Sequence, residues 1–420
     1  MLSFCKSGLF FYFTLILFRL LLDVSYIVVI SEVYSYKGYL VNFTISNYFL
    51  SWLLYVSSFY LLKHKLKEVS DYFFLMGVLS SIAPLSCFYG LDSERPIFPV
   101  LLSVLTFCLI LLVTRVHVPF FRGLKVVRYG RGMALVFSLI CVLYLVFWYS
   151  VSGVQLNLDF LRVYEFRRDN EELAAHGIYA YTNNWTYKVF SIFLMAFALH
   201  YKKFLAFTLL FIVQVYFFAA SAHKSVFFFP FLIFGVWYYF KRTDRLVVIP
   251  VSFCLLILAT LVSFILFEDL KLTSLFSRRV FFVPADLTYI YFDFFSVNPN
   301  VYWSNSILSN FLTYPYDLPV PYIVGRYLGD ETMSANNGFI PMGFAHFGIA
   351  GLFLYGLIVG GVLRFVNDLS YNSMPVWLAV GLSIVPLRTL IVGSDLFTVL
   401  LTHGFIVAIF LIYLSRNKYG

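Results

Sequence analysis

Charge is scarce in this chain: 12% of its 420 residues are Asp, Glu, Lys or Arg, against the roughly 25% of a soluble domain. That excludes an ordinary water-soluble enzyme. Short strands of alternating hydrophobicity are missing too, which excludes a β-barrel of the outer-membrane kind. The five cysteines, Cys5, Cys87, Cys108, Cys141 and Cys254, fall in or beside apolar runs at no metal-like spacing, so neither a disulfide framework nor a metal site is implied. There is no internal repeat and no Gly/Ser linker, and one membrane domain, 1–420, is expected. The first apolar run, 9–30, lacks a small-residue cleavage site after it and is too long for a signal-peptide core.

What is present is apolar length. The chain is 61% hydrophobic and 21% aromatic, with a mean hydropathy of +0.86. Apolar runs of about 18 to 22 residues, enough to cross a hydrocarbon core as a helix, recur from end to end. About twelve spans are expected, at 9–30, 43–62, 72–89, 97–114, 132–152, 180–200, 204–221, 226–240, 246–267, 339–363, 374–392 and 396–414. The fold class is therefore all-α and polytopic.

The formal charge of +9 reports topology rather than nucleic-acid binding. With the N-terminus inside, basic residues such as Lys63, Lys65, Lys67, Arg122, Arg128, Arg131, Lys202, Lys203, Lys241 and Arg242 gather in short inner loops, the positive-inside pattern. Both termini are then cytoplasmic, and adhesion to anionic lipid can add to this bias. Two outer segments are long, 153–179 and 268–338. Chain spent on loops usually carries function. Within the second, Leu287, Ile290, Tyr291 and Phe294 share one helical face and Asp286 and Asp293 another, the pattern of a helix lying in the interface. Pro315, Pro319 and Pro321 predict an extended segment after it.

Inside the spans, Arg19 and Asp23 are four apart and predict an intramembrane pair, structural in preference to a proton relay. Gly356 and Gly360 predict close helix packing. On the outer side, Arg278 and Arg279, Arg326, Lys224 in "SAHKS", and Arg162, Arg167 and Arg168 form a set of cations. Singly each reads as a side chain snorkelling to headgroups. Together they read as a phosphate site, because arginine forks phosphate oxygens and a departing pyrophosphate needs its charge stabilised. The first outer loop offers only Glu32 and no paired carboxylates to hold a divalent cation, so metal-independent chemistry without a cofactor is expected.

The tail of the long loop, "SANNGFIPMGFAHFGIAG", resembles the entry to a late span in O-antigen polymerases of the Wzy type. "HFGIAGLFL", "SAHKSVFFFP" and "FSRRVFFVPADLTYIYFDFF" extend the resemblance. It implies a glycosyltransferase of the helical, lipid-phosphate-sugar (GT-C) architecture with a large, partly helical periplasmic loop, in the bacterial inner membrane. Such an enzyme joins undecaprenyl-pyrophosphate-linked oligosaccharides into polysaccharide, alongside a flippase and a chain-length regulator. On this reading Lys224, Arg278 or Arg279, and Arg326 match the family's outer basic residues, although many relatives have arginine where Lys224 stands.

His346 is the candidate to orient or deprotonate the acceptor hydroxyl, set against a plain hydrogen-bonded role on a helix face. Asp286, Asp293, Asp330 and Glu331 are rival bases. Asn336 and Asn337 can bind sugar hydroxyls or cap the following helix. Arg388, Asp395 and His403 flank the last outer turn and line the same cavity, or Arg388 and Asp395 simply pair. The competing functions are a flippase for the same lipid-linked sugar, an O-antigen ligase, and a non-catalytic assembly protein. Charge concentrated in outer loops favours the enzyme.

Overall fold

The computed structural model describes residues 8–116, 122–160, 166 and 179–417. Its ordered elements are helices: α1 Gly8–Lys37, α2 Ile45–Ser57, α3 Val69–Leu91, α4 Phe98–Arg115, α5 Gly130–Val151, and α6, running from Tyr179–Trp185 through Thr186–Phe190 to Ser191–His200. There follow α7 Phe204–Ser221, α8 Lys224–Phe240, α9 Val248–Phe267, α10 Leu270–Val297, α11 Val320–Tyr327, α12 Phe339–Ser370, α13 Val376–Val392, α14 Leu396–Leu400 and α15 Phe405–Leu414. Among the described residues the β-structure is limited to two isolated bridges, Asn42 with Asp92 and Lys65 with Arg245. Eight helices (α1, α3, α4, α5, α7, α9, α10 and α12) are long and apolar enough to cross a membrane. The chain is an all-helical, membrane-spanning protein.

The helices form two groups. In one, α1 packs along α9, α9 against α10, and α2 against α3; in the other, α5 to α8 pack with α13 and α15. The almost wholly buried α3 joins the groups through α13, and α4 lies along α12. Gly356 and Gly360 make this last contact possible, since a Cβ on either would press on Leu109 or Val113 of α4. The consecutive helices α8 and α9 diverge: α8 packs on α6, α7 and α13, and α9 on α1 and α10. Their turn is nevertheless fixed, because Leu66 N–H donates to the Asp244 carbonyl and Leu246 N–H to that of His64. Gly8 lies beside His64 and Asn417 N–H reaches the Ser373 carbonyl. Both ends of the described chain thus sit at one end of the bundle.

Arg19 and Asp23 pair at 3.0 Å as their spacing predicts, with Arg19 entirely buried and stacked over Trp52. Tyr48 donates to Asp23, and Arg19 donates to Ser51 and to the Ser86 carbonyl. A buried ion pair persists only with such added partners.

Two expectations need correction. The segment read as an interfacial helix in the outer loop is the second half of α10, which is packed into the bundle. In the first half of α10 the Thr273 and Ser277 hydroxyls turn toward Thr260 of α9, and in the second half Asp286 turns inward to Arg95 at 3.0 Å. Polar residues satisfied by neighbouring helices look, in sequence, like residues facing water. Asp293 does face outward, where Tyr327 donates to it.

The expected span 339–363 is also not one crossing. Phe347 (φ −143°, ψ 20°) and Gly348 (φ 59°, ψ −140°) break α12, and the pieces on either side fold back on each other. Gly351 lies so close to the Gly343 carbonyl that a Cβ would strike it, and Gly343 faces Tyr355. In a straight helix residues eight apart would be about 12 Å apart. The first piece begins deep, with Phe339 against Phe73 and Phe107, and returns to the bundle end at His346. It is a re-entrant half-helix, and only the part after Gly348 continues down the bundle.

Candidate functional site at the broken helices

The C-terminal carbonyls of a half-helix need partners, and the outer loop supplies them. Val301 and Tyr302 N–H groups donate to the Ala345 and His346 carbonyls, and the Asn300 amide donates to Phe344 and Ala345. This delivers Trp303 onto His346. Trp303 backbone N–H donates to His346 Nδ1 at 3.2 Å, and its indole N–H donates to the Tyr355 hydroxyl at 2.9 Å. Tyr355 in turn donates to Asp395 at 2.7 Å. His346 Nε2 stands 3.7 Å from the same carboxylate, which also caps α14 by accepting from Phe397 N–H. With Nδ1 accepting, the imidazole carries its proton on Nε2, facing Asp395. His346, 1% exposed, is therefore a held member of a His–Asp–Tyr–Trp network, with Nδ1 engaged by Trp303 and Nε2 facing Asp395.

The next break lies between α14 and α15. Gly404 has φ +76°, and a Cβ there would stand 2.8 Å from the Trp185 ring; only glycine fits on both counts. Trp185 indole N–H takes the freed Leu401 carbonyl at 2.6 Å. One turn on, Lys188 Nζ lies 3.0 Å from His403 Nδ1. Lys188 sits on a π-bulge, Thr186–Phe190. The bulge leaves the Tyr187 carbonyl to the Gln214 amide of α7, whose oxygen accepts from Ser191. Single π-turns of this kind recur at functional sites, and irregular backbone at membrane depth survives only where protein or a cavity satisfies it.

Arg388 is the other cation here. Gly381 packs its face of α13 on Ile233 of α8; two turns further along that face, Arg388 is exposed on a helix otherwise almost wholly buried. Pro230 lies in α8 between these levels and Pro386 in α13 just below Arg388. Each removes an intrahelical hydrogen bond. Arg388 does not pair with Asp395, which accepts from Tyr355 instead, and among the described residues it holds no carboxylate. Lys224 opens α8 beside His223, which lies against the Tyr187 ring.

The other expected residues stand apart from this centre. Arg326 is forked onto Asp317 at 2.8 and 3.1 Å and reaches Glu331 at 2.9 Å, so it staples an exposed loop. Hydrogen bonding to Arg326 holds the Asp317 carboxyl below its ordinary value. Arg278 stacks 4.4 Å over Tyr34, at the head of the other helix group, and Arg279 beside it is exposed. Asn337, 2% exposed, donates to the Pro284 carbonyl and Thr288 and accepts from Gly338 N–H, which is a structural pin. Asn336 is exposed and donates to Ser334. Arg162, Arg167 and Arg168 lie outside the described residues.

Lys188, Trp303, Tyr355 and Gln214 are the members that sequence reasoning missed. Lys188 had a signal, as the only Asp, Glu, Lys or Arg of 179–200. The tryptophan and tyrosine had none, because their partners arrive from far along the chain. No three His, Cys, Asp or Glu side chains among the described residues converge as a metal site would require. Comparison with known proteins gives no match to a family model, to a curated protein or to a solved structure.

Proposed function

We propose that this chain is a metal-independent polysaccharide polymerase of the Wzy type, transferring a growing glycan from undecaprenyl pyrophosphate to an incoming lipid-linked repeat unit. The transfer takes place on the outer side of a bacterial inner membrane, with both termini cytoplasmic. The observation that carries this reading is Arg388, a cation exposed on an otherwise largely buried helix and, among the described residues, without a carboxylate partner. A cation kept there without a carboxylate awaits an anion.

In this reading Arg388 forks the diphosphate and Lys188, held by His403, meets it as a point charge. Lys224 belongs to the same group of cations. Arg278 and Arg279, at the head of the other helix group, are the second place where such a group can be held. Asp395 is the base nearest the acceptor hydroxyl, with His346, Tyr355 and Trp303 fixing its orientation. A flippase for the same lipid is the second reading, favoured by the Arg19–Asp23 pair inside the bundle.

Purified protein in liposomes, supplied with lipid-linked repeats and EDTA, tests this. The polymerase gives a ladder of products. Movement of intact substrate across the bilayer without a ladder makes it the flippase, and transfer only to added lipid A core makes it a ligase.

A further inference from the structure

At the opposite end of the bundle, where both ends of the described chain lie, a cavity of about 500 Å³ opens between the ends of α6 and α8 and the start of α13. Its apolar side is Phe240, Val376 and Trp377; Lys241 supplies its positive charge and His200 a neutral imidazole, whose protonation is disfavoured by burial and by Arg131 and Lys241. The His200 ring lies 6.0 Å from the Trp377 ring, and Lys241 Nζ stands 5.3 Å from the Trp237 ring. Lys241 makes no ion pair among the described residues. Arg131 adds a second positive charge nearby, stacking 5.6 Å over Phe197 and donating to Tyr201. The acid in the lining is Asp244, whose carboxylate lies 3.3 Å from Lys65 outside the cavity. The floor is preformed, because backbone hydrogen bonds stitch the 243–246 turn to residues 64–66.

We propose that this pocket binds the phosphodiester headgroup of an anionic phospholipid, with the phosphate between Lys241 and His200 and the glyceryl end of the chains against Phe240 and Trp377. A free phosphate would fill only a fraction of about 500 Å³ and would have no use for the aromatic side. The setting is that of a membrane interface: Trp237, Tyr238, Tyr239 and Phe240 run straight into Lys241 and Arg242, the aromatic-then-basic order of a helix end at the headgroups. Basic pockets between helices on the cytoplasmic side are where acidic headgroups bind. Because α13 starts in this pocket and carries Arg388 at its far end, an occupied pocket braces the helix on which the proposed reaction site depends.

The test is a thermal-unfolding titration of the detergent-solubilised protein with a short-chain phosphatidylglycerol, a short-chain phosphatidylcholine and the soluble headgroup glycerophosphoglycerol. Phosphatidylglycerol alone is expected to raise the midpoint, saturably. Lys241→Gln should weaken its apparent affinity about fivefold, the worth of one basic residue at an anionic surface, and Lys241→Gln with His200→Gln should abolish the shift while leaving the midpoint in phosphatidylcholine unchanged. If the double variant does not fold, Lys241→Glu at the exposed rim serves in its place, with loss of the shift supporting the site. An unchanged shift in these variants overturns the proposal. An equal response to glycerophosphoglycerol makes this a site for a soluble phosphate and overturns the lipid assignment. No readout involves glycan synthesis, so the result stands apart from the polymerase reading.

Discussion

Arg326 and Arg388 are the same residue in opposite circumstances. Arg326 sits in the last turn of the short helix α11, at an exposed position, and is saturated by two carboxylates; Arg388 sits on a largely buried helix and, among the described residues, holds none. Holding a charge in water costs little, and neighbouring acids answer it there. At membrane depth an unanswered charge is expensive, so its persistence points to a ligand. The sequence view, which weights loops because loops carry function, favours Arg326. The physical cost of placement favours Arg388.

The comparison breaks most visibly by removing each arginine. Arg388→Ala should lower polymer yield about a hundredfold or more, the worth of one charge-assisted donor to a departing oxyanion, about 2.7 to 4 kcal/mol. Arg388→Lys should rescue only part of it. Arg326→Ala should leave the ladder intact. Both are read from the polysaccharide ladder at matched protein level, and equal loss in both variants would erase the distinction.

A smaller effect sharpens what holds the site. Gly404→Ala forces a positive φ on alanine and a Cβ onto Trp185, and should lower stability by about 1–3 kcal/mol, seen as a lower thermal midpoint in detergent. Alanine at Gly235, which has open space around it, is the control. Tyr355→Phe removes the hydroxyl between Trp303 and Asp395 and should cost about 1–3 kcal/mol, since it leaves buried polar partners unmet. An unchanged midpoint would mean that the network does not hold the two breaks together.

The smallest effect belongs to the loop. The Asp317 carboxyl is held below its ordinary value by Arg326. The fork's contribution is therefore complete above the ordinary carboxylate pKa and disappears as pH falls through the lowered one. Limited proteolysis near 315–331 should quicken only in that acid range, and Arg326→Ala should remove the dependence. Quickening near neutrality would assign it to another group.

Much of the fold was legible because apolar length and small-residue spacing are local properties. The Arg19–Asp23 pair and the Gly356/Gly360 contact followed from four-residue spacing on one helix face. The half-helix was not legible, because Phe339–His346 is as apolar as a crossing helix; only the contact of Gly351 with Gly343 reveals the reversal. α10 was misread because Thr273, Ser277 and Asp286 find partners on α9 and in the α3–α4 loop, which no local pattern announces. In the site, His346, Asp395, Arg388 and His403 were visible as polar residues in apolar surroundings. The grouping of His346 with Asp395 depends on Trp303 being carried over by Asn300 and Val301, a long-range event, and that of His403 on Lys188 of α6.

The central claim is that Arg388 faces the outer compartment and meets a lipid diphosphate. Arg388→Cys, in a chain whose native cysteines are replaced by serine, should react in intact spheroplasts with a membrane-impermeant maleimide. Added undecaprenyl pyrophosphate should slow that reaction while undecaprenol does not. Labelling only in inverted vesicles, or equal labelling with and without the pyrophosphate, would contradict it.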